Sequence, residues 1–170
     1  MNDMESFEQT LRRLRKTAAE NTAARRSRAP EVLAHAARLI LDEPSPLASL
    51  AFAAGAKCGL TRPMVREGLC NLLGSVTVES LSDLQARGRT APAGELIFHV
   101  LSGNLFLPGI ESMLLASLRG AVSLVRPSAQ DPLFPRLWWE AVRISDPAFA
   151  RSLAVINWPH TDETRLEAAC

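Results

Sequence analysis

At 170 residues, with 47% hydrophobic and 22% charged residues and a formal net charge of +1, the chain has the size of one domain, or of a helical region joined to part of one. Near-neutral charge argues against a nucleic-acid or acidic-polymer partner, and no apolar run approaches the roughly 20 residues of a bilayer span. Three cysteines (Cys58, Cys70, Cys170) without CxxC or His–Cys spacing argue against a disulfide framework and a zinc site, so no metal is expected.

The polar start, MNDMESFEQT, lacks the apolar centre of a secretory signal, and the cytoplasm is the expected compartment. The first helix shows Phe7, Leu11 and Leu14 at i, i+4 and i+7. Its wetter faces carry Arg12, Arg13, Arg15 and Lys16, read with Arg25, Arg26 and Arg28 as solvated helix surface rather than a nucleic-acid contact. The helix is expected to end near Arg25 to Arg28, before Pro30. A second helix is predicted from Pro30, a favoured first-turn residue, to Glu43, where Pro44 and Pro46 oppose continuation.

A third runs from about Leu47 to Ala56. Thr61 should then cap a helix with Met64, Val65, Leu69, Leu72 and Leu73 inward and Gly74 at its end. Thr77 caps a further helix, but Ser80 stands where a capping-box Glu would, so no box is expected. The stretch RGRTAP from Arg87 marks a linker, dividing a helical region, 1–90, from a second unit, 91–170.

Past the linker the hydrophobic period changes. Leu96 to Leu101 reads as a strand covered on both faces, Leu107 to Leu118 as helix and Val122 to Val125 as strand. Pro132 to Val142 reads as helix, Leu153 to Asn157 as a third strand, and Asp162 begins another helix. The alternation βαβαβ implies an α/β fold with a parallel sheet and right-handed crossovers.

Within that pattern stand His99-Val100, Gly103-Asn104, RPSAQDPLF from Arg126 to Phe134, and SDPAFARSLAVINWPHTDE from Ser145 to Glu163. In their order and spacing these resemble the acyl-CoA reductase family of bacterial bioluminescence, a branch of the aldehyde dehydrogenase superfamily. The resemblance covers about residues 45 to 170. It implies a Rossmann-like cofactor domain, of which residues 91–170 would form the first βαβαβ part, and reduction of a fatty acyl-CoA to the aldehyde with NADPH.

By the same resemblance Asn104 would donate its amide to the oxyanion of the reacting thioester. Arg126 takes the position of a lysine that meets the adenosine ribose. Ala129 replaces an acidic residue that clamps ribose hydroxyls, and Ser128 beside it can donate a hydrogen bond, so NADP is expected over NAD. Ser102, Gly103 and Leu105 would approach the nicotinamide end through backbone groups, with Gly103 and Pro108 shaping the loop. His99 reads as a satisfied core histidine and His160 as a surface turn residue. Only one of Trp138 and Trp139 can face the sheet squarely; the other would mark packing or an interface.

The family places its nucleophilic Cys, and the rest of its catalytic portion, after the elements recognised here. The chain is therefore expected to be inactive alone, to need that carboxy-terminal portion as partner, and by itself to be marginally stable or to self-associate. A non-catalytic remnant, or a dinucleotide-binding subunit of a split enzyme, is the alternative.

Overall fold

The computed structural model describes residues 3–20, 22–102, 109–159 and 161–169, with side chains from residue 7 onward. Three strands, β1 (Leu96–Val100), β2 (Val122–Arg126) and β3 (Leu153–Val155), form a parallel sheet in the order β1-β2-β3. Leu96 pairs with Val122 and Val100 with Arg126, while Ser123 faces Leu153 and Val125 faces Val155. The crossovers are α6 (Gly109–Arg119) and α7 (Phe134–Ser145). The expected α/β alternation is therefore present as a small parallel sheet.

Side chains of a strand alternate between its faces, and the central strand shows why β2 is apolar throughout. Val122 and Leu124 enter one cluster with Phe7, Leu11, Leu14 and Ala18 of α1 (Asp3–Ala19). Val125 enters another with α2 (Thr22–Leu41), α6 and α7. Behind α2 lie α3 (Pro46–Lys57), α4 (Arg62–Leu73) and α5 (Val78–Arg87), whose Leu47, Val65, Leu69, Leu73 and Leu81 join that second core. The last helix, α8 (Glu163–Ala169), places Ala169 on the α1 side.

Several expectations fail locally, each for an identifiable reason. The strand expected to be covered on both faces, β1, has only His99 buried and leaves Val100 exposed, because it is an outer strand paired on one side. Met64 points outward at 52% exposure while Val65, Leu69 and Leu73 are buried. The capping box at Thr77 does form: the Ser80 N–H donates to Thr77 Oγ1 at 3.2 Å, and the Thr77 N–H to Ser80 Oγ at 3.1 Å. A serine hydroxyl reaches as a glutamate carboxylate would.

The largest revision concerns the first two helices. Their break falls between Ala19 and Thr22, not before Pro30, and Pro30 lies buried inside α2. A proline there has no N–H for the carbonyl four residues earlier, that of Arg26. The Gln85 amide supplies the missing donor, giving hydrogen bonds to the Arg26 carbonyl at 2.7 Å and the Leu118 carbonyl at 3.0 Å. Arg26 reciprocates through Nη2 to the Gln85 carbonyl at 2.7 Å. One side chain of α5 thus repairs α2 and ties it to α6.

The reversal between α1 and α2 is held by Arg25. Its guanidinium donates to the carbonyls of Thr17 at 2.6 Å and Glu20, and to that of Gly120 at 3.1 and 3.2 Å. Gly120 has φ +82, and a Cβ there would lie 2.8 Å from the Thr22 carbonyl oxygen. Backbone conformation and close approach both require glycine at this position.

Candidate functional site at the carboxyl ends of the strands

Parallel strands bring their carboxyl ends to one side, where open α/β sheets receive ligands. Beyond the ladder, the Leu101 N–H donates to the Arg126 carbonyl at 3.1 Å and the Ile156 N–H to the Val125 carbonyl at 2.9 Å. The segments leaving β1, β2 and β3 therefore begin side by side. Ser102 is exposed just after β1. Gly103, Asn104, Leu105 and Pro108, the heart of the expected loop, lie outside the described residues, as does His160.

After β2, Ser128 is half-buried and Ala129 exposed. Ser128 Oγ accepts from the Gln130 N–H at 2.9 Å, which leaves its own proton for a further acceptor. Asp131 is buried, and its Oδ1 accepts the Phe134 N–H at 3.1 Å at the start of α7. Burial raises the pKa of that carboxyl above its ordinary value.

Arg126 is the best-organised group at this end. Its Nε donates to the Trp158 carbonyl at 3.2 Å, and its guanidinium carbon lies 5.8 Å from the centre of the Trp158 ring. Trp158 is 4% exposed. Its ring meets Phe7 edge-on at 5.2 Å and stacks on Phe98 at 5.7 Å. Among the described residues Nη1 and Nη2 of Arg126 take no hydrogen bond. The Trp158 support was not foreseen: helical spacing showed that Phe7 faces inward, but not that it meets Trp158.

His99 behaves as read. It is 7% exposed, with Nδ1 at 2.7 Å from Ser112 Oγ and Nε2 at 3.0 Å from Ser123 Oγ. Desolvation lowers its pKa below the ordinary value, keeping the neutral ring favoured. The contacts tie β1 to β2 and to the first turn of α6, the two ends of the segment that carries Asn104.

Trp138 is fully buried, whereas Trp139 lines a groove of about 670 Å³ along the outer edge of β3, between α1, α3 and α7. Arg13 and Lys57 also line it; among the described residues, none of the expected site residues does. The basic run proves to be bracing rather than plain solvated surface. Arg13 donates to the Arg151 carbonyl, Arg15 to that of Ala168 at 3.0 Å, and Arg28 pairs with Asp146. Among the described residues no group of three or more His, Cys, Asp or Glu side chains converges, and no helix is long and apolar enough to cross a membrane.

These features define an α/β protein with a parallel sheet and a cationic, partly preorganised strand-end site. Comparison with known proteins narrows the class. The family model described as acyl-CoA reductase (LuxC) matches residues 71–170, more than half of the chain, and the chain belongs to that family. It is similar to a long-chain acyl-protein thioester reductase of Vibrio harveyi, with 35% identity over 80 residues, covering 46% of this chain and 17% of the relative. No solved structure matches.

Proposed function

We propose that these residues form the cofactor-binding first part of an acyl-CoA reductase that reduces a fatty acyl-CoA to its aldehyde with NADPH. In this reading residues 91–170 are the opening βαβαβ of a Rossmann-like, aldehyde dehydrogenase-type domain, and residues 1–90 a helical region packed upon it. The observation that carries it is Arg126: a guanidinium at the carboxyl end of β2, held through Nε, whose terminal N–H groups make no hydrogen bond among the described residues. That donor set fits an anionic nucleotide group, which arginine can grip with two parallel hydrogen bonds.

Bound NADPH supplies the hydride. Arg126 and the Ser128 hydroxyl would hold the adenosine ribose and its phosphate, while Ala129 leaves room and adds no negative charge. Ser102, Gly103 and Leu105 would face the nicotinamide end through the backbone. Asn104 would donate its amide N–H to the oxygen that gains charge as the thioester carbonyl becomes tetrahedral, a role worth roughly 100- to 1000-fold in rate. The nucleophile is assigned to the family's carboxy-terminal catalytic portion. Cys58 is unsuited to it, since burial and the nearby Asp131 raise its pKa and disfavour the reactive thiolate.

Fluorescence titration with NADPH and NADH tests the cofactor reading. NADPH should bind more tightly, and Arg126→Ala should remove most of the difference. Equal affinity for the two nucleotides in the unaltered chain would overturn it.

A further inference from the structure

Arg126 alone is a poor discriminator. A free arginine at a strand end samples many rotamers, and ordering it on binding costs side-chain entropy. Here that order exists beforehand. The Trp158 carbonyl receives Nε at 3.2 Å, and the Trp158 ring lies 5.8 Å from the guanidinium carbon. Trp158 is itself fixed, gripped by Phe7 from α1 and Phe98 from β1 and nearly inaccessible to solvent.

A guanidinium can meet a phosphate through two edges, one made by Nε and a terminal nitrogen, the other by both terminal nitrogens. With Nε engaged, only the second edge is left for two-point contact. The chain leaving β3 reaches across the end of β2 to Phe98, which brings the Trp158 carbonyl to Arg126. We infer that Trp158 is a positioning residue for nucleotide specificity: it fixes Arg126 so that the paired terminal nitrogens receive the phosphate monoester that distinguishes a 2′-phosphorylated dinucleotide from its unphosphorylated counterpart.

The inference rests on the cofactor reading above and deepens it. It also gives α1 a part in recognition, because Phe7 meets the Trp158 ring edge-on at 5.2 Å beside the stacked Phe98.

The test is the ratio of dissociation constants for NADH and NADPH in three chains: unaltered, Trp158→Leu and Trp158→Phe. Circular dichroism and a urea melt identify variants that remain folded. Trp158→Leu keeps the accepting carbonyl but removes the ring that places it, and should lower the NADPH preference about tenfold, with NADH affinity little changed. Trp158→Phe, which retains an aromatic wedge between Phe7 and Phe98, should keep most of the preference. If Trp158→Leu weakens both nucleotides equally, or leaves the ratio unchanged, Trp158 does not set specificity and the inference is overturned. If Trp158→Leu does not fold, Trp158→Phe and Phe7→Leu decide: preference retained in the first and reduced in the second supports the inference, and any other pattern overturns it. Absence of any preference in the unaltered chain instead sinks the cofactor reading, so the two failures are distinguishable.

Discussion

The two faces of the sheet are built differently. The face shared by α2, α6 and α7 is a broad, mainly aliphatic core containing Leu33, Ile40, Met113 and Val125, with Trp138 fully buried within it. The opposite face is covered by α1 and the end of α8, and its largest contacts are the Phe7–Trp158–Phe98 rings. Aliphatic packing is tolerant of orientation, whereas stacked and edge-on rings fix direction. The first face therefore holds the crossovers together, and the second aims a side chain at the strand ends. In the proposed reading, stability and recognition sit on opposite sides of the same three strands.

That division can be broken in decreasing order of effect. Trp138→Ala empties the centre of the aliphatic face and should cost about 3–5 kcal/mol, read as a lower urea midpoint. Gln85→Leu would strip the donor from the Arg26 and Leu118 carbonyls and should cost about 1–3 kcal/mol. Adding Pro30→Ala restores an N–H to α2, so the double variant should recover part of the loss; strict additivity would show that Gln85 does not compensate for the proline.

On the other face, Phe7→Leu should cost only about 1 kcal/mol yet reduce NADPH preference more than its stability loss suggests. A large stability loss with unchanged preference would erase the distinction between the faces.

The smallest expected effect is one of pH. Burial lowers the pKa of His99 below its ordinary 6.5, so the unfolded chain binds the proton more readily. The His99 contribution to stability is complete above about pH 7 and falls as pH drops through 6.5 toward the folded pKa. His99→Gln should flatten that part of the stability–pH curve. An unchanged curve would place the proton uptake elsewhere.

What was legible locally was substantial. Leu96 to Val100 and Val122 to Val125 declared themselves as strands by short apolar runs, and Thr61 and Thr77 occupy the N-cap positions of helices as read. The Gly-Asn and Ser-x-x-Asp-Pro wording pointed to the family. Pro30 misled because it offers the same residue to a helix start and to a repaired helix interior. Only Gln85, some 55 positions away in sequence, decides between them.

The sequence by itself determined most of the helix and strand segments, that the strands run parallel, and that a cationic group stands at the end of β2. Those properties follow from spacings of two to four residues, within reach of local backbone geometry. Tertiary structure alone decided that the arginines of the first two helices grip distant carbonyls, and that Trp158 stands between Phe7 and Phe98 beneath Arg126. The reason is that buried backbone acceptors and ring faces find their partners through packing, and no sequence period records which distant residue will arrive.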